Sequence, residues 1–117
     1  MREDAIGTAV QIRNAMSTAE KVSSEIQEEL DTAVRDLPTW PTDPLHALAV
    51  LGEKYGALSK AVLQLTYAPH KEGSSVAAVR REAVHTAVMA LRFVMSLDQY
   101  RYGESKQHRQ EEGSDQQ

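Results

Sequence analysis

The sequence predicts an all-α protein whose long helices form a bundle that self-association completes. Three observations carry this. Apolar residues recur at alternating spacings of three and four through most of the first 102 residues. Aromatic residues are only 5 %, and alanine, leucine and valine abound, which suits helix packing better than a sheet sandwich. One proline-rich stretch and one turn-rich stretch divide the pattern into three segments of helical length.

The first helix is expected over 5–36. Ile12, Ala15, Ala19, Val22 and Ile26 form a narrow stripe that Leu30, Ala33 and Leu37 continue after a shift. Gly7 weakens only the first turn. A stripe so narrow and rich in alanine needs a partner to cover it. The segment LPTWPTDP, 37–44, holds three prolines in eight residues and cannot be helical. Within it, Trp40 is expected to pack the connection onto the bundle. Asp43 before Pro44 is a start signal, an N-cap acceptor followed by proline at the first helical position.

The second helix is expected over 44–67. Its regular stripe is Leu48, Leu51, Tyr55, Leu58, Val62 and Leu65, widened by Ala47, Val50 and Ala61. The opposite face carries His46, Ala49, Glu53, Gly56, Ala57, Lys60 and Gln64. The loop APHKEGSS, 68–75, follows, and Ser74 or Ser75 can cap the third helix. That helix is expected over 75–102, ending at Gly103. Val76, Val79, Ala83, Ala87, Ala90, Val94 and Leu97 form its main stripe. Thr86, Met89, Phe93 and Tyr100 form a second shoulder, and Glu82 falls on it. The polar stretch 103–117 lacks apolar periodicity and is expected to be a disordered tail. Residues 1–102 then make one helical domain. Its apolar surface exceeds what three helices can hide, so a homodimer or tetramer is expected, the alternative being a monomer whose first helix folds over both faces.

The 117 residues suffice for one modest core, and the net charge of −4 argues against a nucleic-acid partner. The absence of cysteine excludes disulfides, thiolate catalysis and cysteine-based zinc sites. No stretch approaches 18 apolar residues and the opening MREDAIGTAV is not a secretory signal, so a cytoplasmic protein without membrane partners is expected.

Two acids stand out. Glu53 lies in LGEKYGALSKAV and Glu82 in RREAVHTAVMALRF, each among apolar and small residues. A carboxylate there loses hydration unless something compensates it. A cation held between two helices takes several oxygen ligands, and these segments offer Glu53, Glu82 and His85 as donors. Such a site of two glutamates and one histidine favours manganese, iron or zinc over magnesium. Simpler readings stand beside it. Glu53 fits a solvated face. Glu82 near a helix N-terminus is favoured by the dipole. His85 fits a surface histidine, and His46 a helix-start residue. Arg80, Arg81 and Arg92 can face a phosphate or form a solvated basic face.

Over about 39–102, in DPLHALAVLGEKYGALSKAVLQ and VRREAVHTAVMALRF, the chain resembles the phage-type branch of the MazG-like all-α nucleoside triphosphate pyrophosphohydrolases. That family carries two adjacent glutamates with a third three positions on, then Glu-x-x-Asp on the next long helix. The resemblance implies magnesium held by those acids, pyrophosphate released by cleavage between the α and β phosphates, and assembly as dimers or tetramers. Residue by residue, Glu53 and Glu82 match the first acid of each motif. Lys54 and Ala57 stand at the other acidic positions of the first, and His85 at the aspartate position of the second. If Lys54 points inward it repels a divalent ion by several kcal/mol at an effective dielectric of ~20.

The resulting expectation is a family member with a degraded metal site, weak or absent catalysis, and a nucleotide-binding or regulatory role. Lys54 and Arg81 are its candidate substrate-binding cations, with magnesium, manganese or no metal as cofactor. The alternatives are an active divergent metal-dependent pyrophosphohydrolase, a di-metal carboxylate bundle built on Glu82-x-x-His85, and a purely structural oligomer.

Overall fold

The computed structural model describes residues 2–103; Met1 and the expected tail beyond Gly103 lie outside the described residues. Three helices, α1 (Arg2–Asp36), α2 (Pro44–Tyr67) and α3 (Val76–Met95), are followed by a 3-10 turn at Leu97–Gln99. No strand occurs among the described residues. No helix among them is long and apolar enough to cross a membrane.

The start signals act as the sequence indicates. The Asp43 carboxylate accepts a hydrogen bond from the Leu45 backbone N–H at 3.0 Å, with Pro44 opening α2. At α3 the cap is Ser75, whose Oγ accepts from the Ala78 N–H at 3.0 Å. Ser74 instead donates its hydroxyl to the Ala68 carbonyl at 2.8 Å and ties down the loop. Gly73 in that loop has φ +88°, a left-handed conformation that glycine adopts without strain. Ser75→Ala should therefore lower stability by about 1 kcal/mol, read as a shift of the urea midpoint at unchanged slope.

Helix α3 lies between α1 and α2, which have no Cα atoms within 8 Å of one another. Glu25 pairs with Arg80, Glu29 faces His85, and the carbonyls of Ala33 and Leu37 meet Arg92. The numbers rise together, so the C-terminal half of α1 runs parallel to α3. α2 runs antiparallel to it: the Arg101 N–H donates to the Thr42 carbonyl at one end, and Gln64 donates to the Glu72 carbonyl at the other. The core centres on Leu30, Val88 and Met89, with Ile26, Ala33, Trp40, Val50, Leu51 and Val84 packed around it.

Three expectations need correction. First, α3 ends at Met95, not at 102. The chain folds back after Ser96, because Tyr100 becomes buried: its hydroxyl accepts from Trp40 Nε1 at 2.8 Å and donates to the Phe93 carbonyl at 3.1 Å. Gly103, at φ +58°, lies past that closure and does not terminate α3. Second, the packed face of α2 is rotated by about 70° from the regular stripe, taking 100° per residue. Ala47 is fully buried and Lys54, Ala57 and Ala61 are half-buried, while Leu48, Tyr55 and Val62 are exposed. Small residues let α2 approach α3 closely; Val50 and Leu51 pack against the core and Leu58 and Leu65 are half-buried, while Leu48, Tyr55 and Val62 stay outside. Third, α3 buries Ala78, Val88, Met89 and Arg92, and leaves Val76, Val94 and Leu97 of its main stripe exposed.

Helix α1 does not fold over both faces. Its 35 residues span about 52 Å, and residues 6–21 are all exposed, an arm projecting past the start of α3. Gly52 and Gly56 sit in the interior of α2, where each costs about 1 kcal/mol relative to alanine. A Cβ added at either would meet nothing within 4 Å, so no contact within this chain requires them.

Candidate functional site

A cleft of about 420 Å³ opens between α1 and α2, with α3 as its floor. Glu29, Ala33 and Leu37 of α1 form one wall; Val50, Glu53 and Lys54 of α2 form the other. His85, Val88, Met89 and Arg92 line the floor, and Thr39, Trp40 and Pro41 close one end. The interior is apolar and the mouth is charged, the arrangement that gives a pocket both affinity and orientation.

The closed end is braced by Arg92, which is only 5 % exposed. Its Nη2 donates to the Leu37 carbonyl at 2.7 Å and the Thr39 carbonyl at 3.4 Å, and its Nη1 to the Ala33 carbonyl at 3.5 Å. These carbonyls lie at the C-terminal end of α1 and just beyond it, where the dipole favours a cation; that of Ala33 also accepts from the Leu37 N–H at 2.8 Å. The guanidinium also lies 4.9 Å from the centre of the Trp40 ring. Arg92 is thus neither a phosphate ligand nor part of a solvated basic face. Trp40 packs the connection onto the bundle, as its sequence context indicates. Tyr100 extends this cluster, with its ring 5.0 Å from that of Phe93.

At the open end His85 stands between two acids. Its Nε2 is 3.5 Å from Glu29 Oε1, and its Nδ1 is 4.0 Å from Glu82 Oε2. Glu82 also lies 3.8 Å from Arg81 Nε. One turn earlier Arg80 binds Glu25 through two hydrogen bonds, first of which Nε to Oε1 is 3.2 Å. That bond, and then the carboxylate's charge, raise the Arg80 pKa above its ordinary value. Arg80 is therefore engaged with α1 and Arg81 with Glu82, not with the cleft.

Of the sequence-derived candidates, Glu53, Lys54 and His85 line one cleft, and Glu82 reaches it only through His85. Among the described residues no group of three or more His, Asp or Glu side chains is arranged to hold a metal ion. Lys54 is half-buried on the cleft wall, and neither it nor Glu53 has a hydrogen-bond or ion-pair partner among the described residues. Neighbours in sequence on a helix do not face each other, which is why these two do not pair.

Sequence reasoning missed Glu29. Its signal was present: Glu25 and Glu29 are one turn apart, flanking the apolar positions Ile26 and Leu30, and Arg80 and His85 offer complementary partners on α3. Comparison with known proteins finds no matching family model, no matching curated protein and no matching solved structure.

Proposed function

We propose that this chain is a relative of the MazG-like nucleoside triphosphate pyrophosphohydrolases whose metal site is degraded, and that its cleft holds the phosphate end of a nucleotide with weak or no turnover. The observation that carries this is Lys54, half-buried in the cleft wall beside Glu53 and without an ion-pair partner among the described residues. It stands where the family pattern has its second glutamate. An ammonium there opposes a divalent ion by several kcal/mol at an effective dielectric of about 20. It favours an anion for the same reason, and a phosphate oxygen is the partner a point charge of this kind takes. The apolar floor at Val88 and Met89 supplies the surface against which a less polar part of the ligand packs. The all-helical fold agrees with the resemblance.

Calorimetric titration with Mg²⁺ or Mn²⁺ should show no tight stoichiometric binding, and pyrophosphate release from a nucleotide panel should stay at background. A bound nucleotide should raise the melting temperature without added metal, by the equivalent of about 2.7 kcal/mol at a hundred times its dissociation constant. Lys54→Met should remove most of that rise while leaving the fold intact. Metal-dependent turnover that disappears in Glu53→Ala and Glu82→Ala would instead establish the active, divergent enzyme.

A further inference from the structure

We infer that the cleft sorts nucleotides by their number of phosphates: it accepts a nucleoside monophosphate and turns away the triphosphate. This rests on the nucleotide reading and adds to it which members of that class the residues admit. Charge and length both point this way.

The side chains that can carry positive charge in the cleft are Lys54, His85 and Arg92. Arg92 is taken up by the carbonyls of Ala33, Leu37 and Thr39. Both His85 nitrogens face carboxylates, Glu29 at 3.5 Å and Glu82 at 4.0 Å, so a proton gained there is offset by acids already in place. Arg80 and Arg81 are turned to Glu25 and Glu82. Lys54 is thus the cation in the cleft left to meet a ligand, with no ion-pair partner among the described residues. One ammonium suits one phosphate, which carries about −1.5 to −2 charges near neutral pH. The mouth also holds Glu29 and Glu53, on opposite walls. Further phosphates would bring more negative charge between these two carboxylates with no second cation to meet it. Like charges set together in this way are how a site rejects a wrong ligand.

The cleft is graded along its length. From Leu37 to Glu29 along α1 is about 12 Å, and from Arg92 to His85 along α3 about 10 Å, at 1.5 Å per residue. The closed end is apolar, with Trp40 beside Val88 and Met89, and the acids stand at the open end. A base and ribose laid on the apolar stretch bring the 5′ phosphate level with Lys54. A second and third phosphate would run on past Glu29 and His85 into the acidic mouth. The volume, about 420 Å³, lies in the lower part of the range for ligand pockets, about 300–1,000 Å³, and suits the shorter ligand.

The test is a titration of the full chain with the nucleoside, its mono-, di- and triphosphate, for each of the four common ribonucleosides, in EDTA at fixed ionic strength. Calorimetry gives the affinity, and the fluorescence of Trp40, the only tryptophan, reports the closed end. For the base that binds tightest, the monophosphate should bind at least ~tenfold more tightly than the triphosphate. The diphosphate should fall between them, and Trp40 emission should change on binding. Lys54→Met should bring the monophosphate down to the affinity of the bare nucleoside. Glu29→Gln with Glu53→Gln should bring the triphosphate to within about threefold of the monophosphate. A triphosphate that binds as tightly as the monophosphate, or a preference that survives the double glutamine variant unchanged, overturns the sorting and leaves the nucleotide reading standing. If no member of any series binds, the nucleotide reading falls, and the sorting falls with it.

Discussion

Replacing Arg92 by alanine is expected to destabilise the chain by about 3 kcal/mol, the largest loss from any single truncation outside the apolar core. The side chain is buried and holds three backbone carbonyls of α1 and the following loop, on residues Ala33, Leu37 and Thr39. A hydrogen bond from a charged donor contributes about 1.5–3 kcal/mol net, and of the three here only that to Leu37, at 2.7 Å, is short. The aliphatic stem and the contact with Trp40 add packing. Two further variants separate these effects. Arg92→Met keeps much of the stem and should recover about 1 kcal/mol of the loss. Arg92→Lys keeps the charge but not the planar fork, and a single ammonium cannot serve acceptors spread over this loop. It should recover less than half. Trp40 is the only tryptophan, so its fluorescence reports the closed end of the cleft directly. Arg92→Ala should shift its emission to the red before global unfolding. A urea midpoint within error of wild type would mean that Arg92 does not brace this end.

Arg92 also marks where sequence reading stops. The caps at Asp43 and Ser75 were legible because cap chemistry is local: the acceptor and its N–H lie two or three residues apart. The break at 37–44 was legible for the same reason, since proline constrains its own neighbourhood. Which face of a helix turns inward is not local. Both α2 and α3 carry apolar residues on more than one side, and periodicity alone does not say whether a stripe packs within the chain or against another copy. Of the regular stripe, Leu48, Tyr55 and Val62 lie outside while Leu51, Leu58 and Leu65 are half-buried, and Lys54 is at the centre of the packed side. The end of α3 was misplaced because its cause is the bond between Trp40 and Tyr100, sixty residues apart. The site divides in the same way. Glu82 and His85, three apart on one helix, come together as their spacing requires. Glu29 carries a local signal in its spacing from Glu25, but its meeting with His85 depends on the rotation and parallel packing of α1, which that spacing does not specify.

Rebuilding the acidic cluster tests the degraded-site reading from the opposite direction. The triple variant Lys54→Glu, Ala57→Glu and His85→Asp should bind Mn²⁺ at least ~100-fold more tightly than the wild type, which corresponds to about 2.8 kcal/mol. The geometry supports a gain of this size. Positions 53, 54 and 57 fall within about 100° of one another on the cleft side of α2, and 82 and 85 share a face of α3 across from them. The exchange at 54 removes one positive charge and adds one negative charge at a half-buried position, where screening by water is weak. Oxygen donors in this number are what a hard divalent ion requires. The metal-free triple variant should be less stable than wild type, because several carboxylates then crowd one cleft, and Mn²⁺ should reverse that loss by binding only the folded state. Lys54→Gln alone isolates the repulsion and should yield only part of the gain. Calorimetry with Mn²⁺ and a melting curve with and without it decide the matter. If the triple variant folds and binds no more metal than wild type, the five positions do not converge even with their charges restored. The acidic pattern would then be a likeness of spacing alone, and Lys54 would be explained by the cleft's anionic ligand rather than by a lost cation.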